Sequence, residues 1–174
     1  NVYYDNNEGA VKIIARGNEY AKNEVNGVGT IKDGSLTGGA LISKFTVTPG
    51  RYEVRMKVAP NIGVCNAFWL YTEDDSARNH ELDFELPGWN TYNKLSYNQV
   101  LCSSWLGERN HTSTDAPVSV SAADGEYHTF TFDWYYSNNN KCVDYFYDGA
   151  KIASHNTNIP FYENRLWLGA WIPN

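Results

Sequence analysis

A chain of 174 residues with 42% apolar and 20% charged side chains has the balance of one globular domain with a sizeable core. Its net charge of −6 argues against nucleic acid and anionic membrane surfaces as partners, and no apolar run approaches the roughly 20 residues that span a bilayer. Aromatic residues reach 15%, which suits either a large β core or a surface that contacts other molecules, sugars among them.

Helical periodicity is nearly absent. Short β-branched and aromatic segments recur between Gly, Asn, Asp and Pro. The predicted strands are, in chain order, 11–15, 40–48, 51–59, 64–71, His80–Leu86, 94–101, 127–135, 143–147, 152–155 and 166–172. So many short strands without a repeat or a linker predict one all-β sandwich or jelly roll over residues 1–174. Pro49-Gly50 and Asp148-Gly149 are hairpin signals, and Asn138-Asn139-Asn140 reads as an exposed loop. Residues 107–124 are mostly polar with one Pro, and read as a long surface loop bordering a site.

The segment His80–Leu86 carries the chemistry. On a strand, Glu81, Asp83 and Glu85 share one face while Leu82, Phe84 and Leu86 share the other. Three like charges in a row repel one another, so the pattern points to carboxylic chemistry with at least one group kept protonated. The Cα atoms of Glu81 and Glu85 would lie about 13 Å apart, and side chains leaning together would bring their carboxyl groups within roughly 5–6 Å. That separation is the one retaining glycosidases use. An acidic solvent-exposed face and a calcium site are the competing readings, although calcium loops are Gly-containing turns rather than regular strands. Cys65, Cys102 and Cys142 have no CxxC spacing, which argues against zinc and leaves either one disulfide or three free thiols. No metal site is expected from these residues.

Glu81-Leu82-Asp83-Phe84-Glu85 resembles the E-[ILV]-D-x-E signature of glycoside hydrolase family 16. Four flanking segments are similar to other strands of that family in the same order. They are residues 50–57, beginning Gly50-Arg51-Tyr52-Glu53, then 68–72, 127–134 and 144–149. Leu166-Trp167-Leu168-Gly169-Ala170-Trp171 resembles a fifth. The resemblance implies a concanavalin A-like β-jelly roll, two stacked antiparallel sheets with a concave substrate cleft. It implies Glu81 as nucleophile, Asp83 as its hydrogen-bonding helper and Glu85 as general acid/base. It assigns Glu53, Arg55, Trp69, Tyr71, Asn98 and Trp171 to sugar contact, with Trp105 at a cleft edge. Core packing competes with a platform role for Trp69, Trp134 and Trp167, and His128 is expected to be structural.

The implied activity is retaining, endo-acting hydrolysis of a β-linked polysaccharide by a secreted monomer. No cofactor is required, although the family often holds a structural calcium. The unbulged E-x-D-x-E spacing looks more like β-1,3-1,4-glucanases than like enzymes with an extra residue in the signature. β-1,3-Glucan is a further candidate substrate. An endo-β-galactosidase, a transglycosylase or a non-catalytic lectin-like protein of the same fold are the alternatives. His80 and Gly169 depart from the common family residues, and the domain is expected to lack part of its N-terminus and its last strand.

Overall fold

A computed structural model of the chain describes residues 1–16, 36–61, 63–72, 79–86 and 98–172. The described residues form antiparallel strands throughout. β1 (Val2–Asp5) and β2 (Ala10–Ile13) make a small hairpin. A six-stranded sheet runs in the order β3 (Gly39–Val47), β12 (Asn164–Trp171), β5 (Cys65–Thr72), β6 (His80–Leu86), β7 (Gln99–Leu106) and β8 (His111–Pro117). A four-stranded sheet runs β11 (Ala150–His155), β10 (Asn140–Tyr147), β9 (His128–Ser137) and β4 (Gly50–Met56). The expected all-β sandwich of stacked antiparallel sheets is therefore the observed architecture.

Alternation explains how the sheets stack. Leu82, Phe84 and Leu86 are fully buried, and Phe84 packs within 5.5 Å of Phe130, Phe132 and Tyr145 across the core. Burying side chains of this size contributes roughly 1.5–3 kcal/mol each. Once that face points inward, the period of two turns the intervening residues of β6 to the open face of the six-stranded sheet. Trp134 belongs wholly to the core, with its indole N–H donating to the carbonyl of Pro160 at 3.1 Å.

The structure differs from the sequence reading in several places. Pro49-Gly50 joins no hairpin, because β3 and β4 pair with β12 and β9 in different sheets. Asp148-Gly149 does close the β10–β11 hairpin, both residues at positive φ, as a type I′ turn requires. Asn140 lies in β10 rather than in a loop. The supposed loop 107–124 contains β8, the edge strand of the six-stranded sheet. Its inward residues are Thr112, Thr114 and Ala116, too polar and small to show a hydrophobic period. β7 begins at Gln99, and residues 94–97 of the predicted strand lie outside the described residues. All three cysteines are free thiols, so no disulfide forms among them.

Candidate active site

β6 lies inside the six-stranded sheet, with β5 and β7 hydrogen-bonded on its two sides. Register sets its neighbours: Tyr71, Glu81, Trp105 and His111 form one row, and Trp69, Asp83, Ser103 and Ser113 the next. The third row is Gly169, Ala67, Glu85, Leu101 and Asp115. The three carboxylates thus stand on one open face, as the sequence pattern requires.

Their proton affinities are set mainly by burial. Burial pushes Glu81 up, while hydrogen bonds from Asp83 and from Asn79 Nδ2, the latter at 3.0 Å, hold it down. Asp83 is pushed well above the usual carboxylate range by burial, by the charge of Glu81 and by sharing a proton with it. Burial and the charge of Glu81 push Glu85 up to about 7. Within the close pair, the proton stays on Asp83 and Glu81 is the ionised partner, because Asp83 is the more deeply desolvated. The result is one carboxylate and one carboxylic acid that titrates near neutrality on the same strand face.

The aromatic side chains fall on two flanks. On the β5–β12 side, Trp69 stacks on Trp167 at 5.3 Å and meets Trp171 edge-on at 5.6 Å, while Tyr71 meets Trp167 at 6.2 Å. Trp69, Tyr71, Trp171 and Trp167 are all half-buried, and together they line one flank of the carboxylates. Trp167, left open between core and platform by the sequence, belongs to this floor. On the other flank, Trp105 stacks on His111 at 4.2 Å and 20°.

Glu53 and Arg55 are not brought to this site. They lie on β4, in the other sheet. Tyr52, Val54 and Met56 pack against the core, so the intervening residues face outward. There Glu53 accepts from Thr131 Oγ1 at 3.0 Å, and Arg55 lies over the Tyr127 ring at 4.7 Å. Asn98 sits in an exposed turn ahead of β7, with its carbonyl accepting from the Val118 N–H. His80 points to the core face and packs edge-on against Phe161 and Tyr162, each at 4.8 Å. His128 is structural, as expected, held by Asp148 and Asp124.

Sequence reasoning missed Ser103, His111, Ser113 and Asp115. The last three were hidden by reading β8 as a loop; their alternation with Thr112, Thr114 and Ala116 was the available signal. Among the described residues, no group of three or more His, Cys, Asp or Glu side chains could hold a metal ion.

A two-sheet β-jelly roll that presents a row of largely shielded carboxylates between aromatic side chains on its open face defines a glycoside hydrolase type of domain. The chain belongs to the glycosyl hydrolases family 16, whose family pattern matches residues 7–171. It is 31% identical over 123 residues to the beta-glucanase of Bacillus amyloliquefaciens, covering 70% of this chain and 47% of that protein. It also resembles the Bacillus licheniformis beta-glucanase structure, with a TM-score of 0.70 and 23% identity over 99% of this chain and 69% of that one. A structure of a Crh5 transglycosylase shares the fold, with a TM-score of 0.59 and 24% identity over 92% of this chain and 69% of its own. The chain spans 34% of the Acetivibrio thermocellus beta-glucanase, and less than half of the Bacillus amyloliquefaciens relative.

Proposed function

We propose that this domain is a retaining, endo-acting β-glycanase that cleaves β-1,3-1,4-glucan, with β-1,3-glucan as the second substrate. The observation that supports this most directly is the placement of Glu81, Asp83 and Glu85 on one face of β6, where burial pushes Asp83 well above the usual carboxylate range and Glu85 up to about 7. Glu81 attacks the anomeric carbon while Glu85 gives its proton to the departing glycosidic oxygen. Asp83 donates to Glu81 and steadies its charge as the covalent bond forms and breaks. Glu85, now ionised, removes a proton from water, which releases the sugar with retained configuration. The similarity to beta-glucanases favours glucan over other β-linked chains.

Aromatic rings at Trp69, Tyr71, Trp167 and Trp171 would stack on successive sugar rings of a long chain, which suits internal cleavage. We place the protein outside the cell, where such polymers occur, and acting as a monomer; light scattering on the purified protein tests the second point. No step of this scheme runs through a metal.

Glu81→Ala and Glu85→Ala are each expected to lower cleavage of barley glucan by at least about 10²-fold, read as new reducing ends. Cleavage that survives both changes overturns the assignment. Transfer to a sugar hydroxyl in place of water is the second reading, favoured by the transglycosylase among the proteins of like fold. Product analysis with added oligosaccharide acceptor separates the two.

A further inference from the structure

Asn79 stands one residue ahead of β6, and its backbone is fixed by the turn that follows β7. The Gly107 N–H donates to the Asn79 carbonyl at 2.6 Å, one step beyond His80 and Leu106, the last pair of the β6–β7 ladder. Gly107 has a φ of 90°, a conformation that glycine adopts freely, and the Leu106 N–H closes the same turn on the Asn110 carbonyl at 2.9 Å. Side chains alternate along a strand, so Asn79, Glu81, Asp83 and Glu85 follow one another on the open face. There Asn79 Nδ2 donates to Glu81 Oε2 at 3.0 Å, in a half-buried setting.

Two features separate this bond from ordinary packing. An ionised carboxylate only accepts, so the amide must turn its NH2 edge to Glu81. That leaves Asn79 Oδ1 buried with no hydrogen-bond partner among the described residues. An unpaired buried acceptor is destabilising, so the amide is oriented for Glu81 and not for the stability of the turn. In addition, Asn79 lies on the side of Glu81 away from Glu85. A bond on that side holds one oxygen back along the strand and limits how far the carboxylate can swing toward the proton donor.

We propose that Asn79 is a positioning residue of the reaction: it holds Glu81 Oε2 and so leaves Oε1 as the oxygen that attacks the anomeric carbon. The proposal rests on the assignment of Glu81 as nucleophile. As Oε1 bonds to the anomeric carbon, the glycosidic C–O bond breaks and the departing oxygen takes the Glu85 proton. Oε2 becomes the carbonyl oxygen of the ester and still accepts from the amide. Water then attacks the same carbon while losing a proton to Glu85, and the electrons of the broken bond return to Oε1. The Asn79 bond is thus kept through both halves of the reaction.

The same bond favours ionised Glu81, because a charge-assisted hydrogen bond is stronger than a neutral one. It opposes the burial that pushes Glu81 up. The other titratable groups on this face, among the described residues, are Asp83 and Glu85 on β6, Tyr71 and Cys65 on β5, Arg165 on β12, and His111 and Asp115 on β8. Glu108 and Arg109 lie in the adjoining turn. An uncharged replacement of Asn79 removes a donor and alters none of these charges.

Asn79→Leu keeps the bulk of the side chain and removes the amide. The active form has Glu81 ionised and Glu85 protonated, so the acid limb of kcat/KM on barley glucan reports Glu81. That limb is expected to move up by about 1 unit, the worth of one hydrogen bond to a charged group. The alkaline limb, set by Glu85 near 7, is expected to stay, and kcat to fall several-fold with KM nearly unchanged. Asn79→Ser is too short to reach Oε2 and puts no apolar group in the turn; it is expected to show the same shift, and serves where Asn79→Leu fails to fold. Asn79→Gln, which keeps an amide on a longer stem, is expected to return much of the limb.

An unmoved acid limb in these donor-free variants overturns the proposal, whether KM rises, as for a sugar contact, or only stability falls, as for a structural role. Limbs that move together overturn it as a general disturbance of the site. So does a shift that Asn79→Gln leaves in full. Failure of the parent reading looks different: Glu81→Ala would still cleave glucan, or the unaltered protein would cleave none at any pH.

Discussion

Gly169 shows how one residue sets the shape of the aromatic floor beside the carboxylates. A Cβ added there would lie 2.9 Å from two atoms of the Trp69 ring, closer than real contacts allow. The glycine therefore lets Trp69 lie across β12 and stack on Trp167. Gly169→Ala should push that ring off its place. The contacting atoms are the far end of the side chain, so stability is expected to change by less than about 1.5 kcal/mol. KM for glucan is expected to rise several-fold with kcat nearly unchanged if, as proposed, the ring is a sugar platform that serves substrate and transition state alike. A kcat that falls while KM holds would contradict a platform role. The acids on the neighbouring strand illustrate the opposite case. Their identity and shared face follow from spacing alone, but which one holds the proton depends on how deeply each is buried.

At the scale of elements, β9 is pinned at its start to the turn that joins β10 and β11. His128 Nδ1 meets Asp148 Oδ2 at 2.6 Å, and Nε2 meets Asp124 Oδ1 at 3.0 Å. Burial lowers the affinity of this imidazole for a proton, but the two carboxylates outweigh it and the net shift is upward. A histidine raised in the folded state adds stability that is fully present below its unfolded value near 6.5 and is lost as pH rises through the folded value. His128→Ala is expected to cost about 1–2 kcal/mol at pH 5.5 and less at pH 9, measured by urea unfolding at both. A cost that grows toward pH 9 would refute the ion pairing. β8 makes a related point about legibility. Thr112 and Thr114 turn inward to Thr157 and His155, so this strand satisfies its inner face with hydrogen bonds rather than apolar burial. Such a strand carries little hydrophobic signal. The carboxylate strand carries a strong one because its inner face is Leu82, Phe84 and Leu86.

For the molecule as a whole, the site works against stability. Glu85 keeps its proton to about pH 7 when folded but loses it near 4.5 when unfolded. Between those values the folded state binds more protons, so this group makes the fold less stable as pH rises, by up to about 3 kcal/mol above pH 7. Glu85→Gln is expected to abolish cleavage and to raise the urea midpoint at pH 8 more than at pH 4. Equal shifts at both values would mean that Glu85 is not strained by burial. Much of this protein was determined by its sequence. Alternation settles which side chains of a strand share a face, whatever that strand pairs with, so the all-β class and the common face of Glu81, Asp83 and Glu85 follow from order alone. What lies beside them does not. Glu53 and Arg55 have the same alternating pattern, yet β4 pairs with β9 and turns them to the outside of the other sheet. Pairing β6 with β7, and β7 with β8, is what brings Trp105 and His111 to the acids. Strand partners are chosen by long-range burial of whole faces, and only the tertiary structure could decide them.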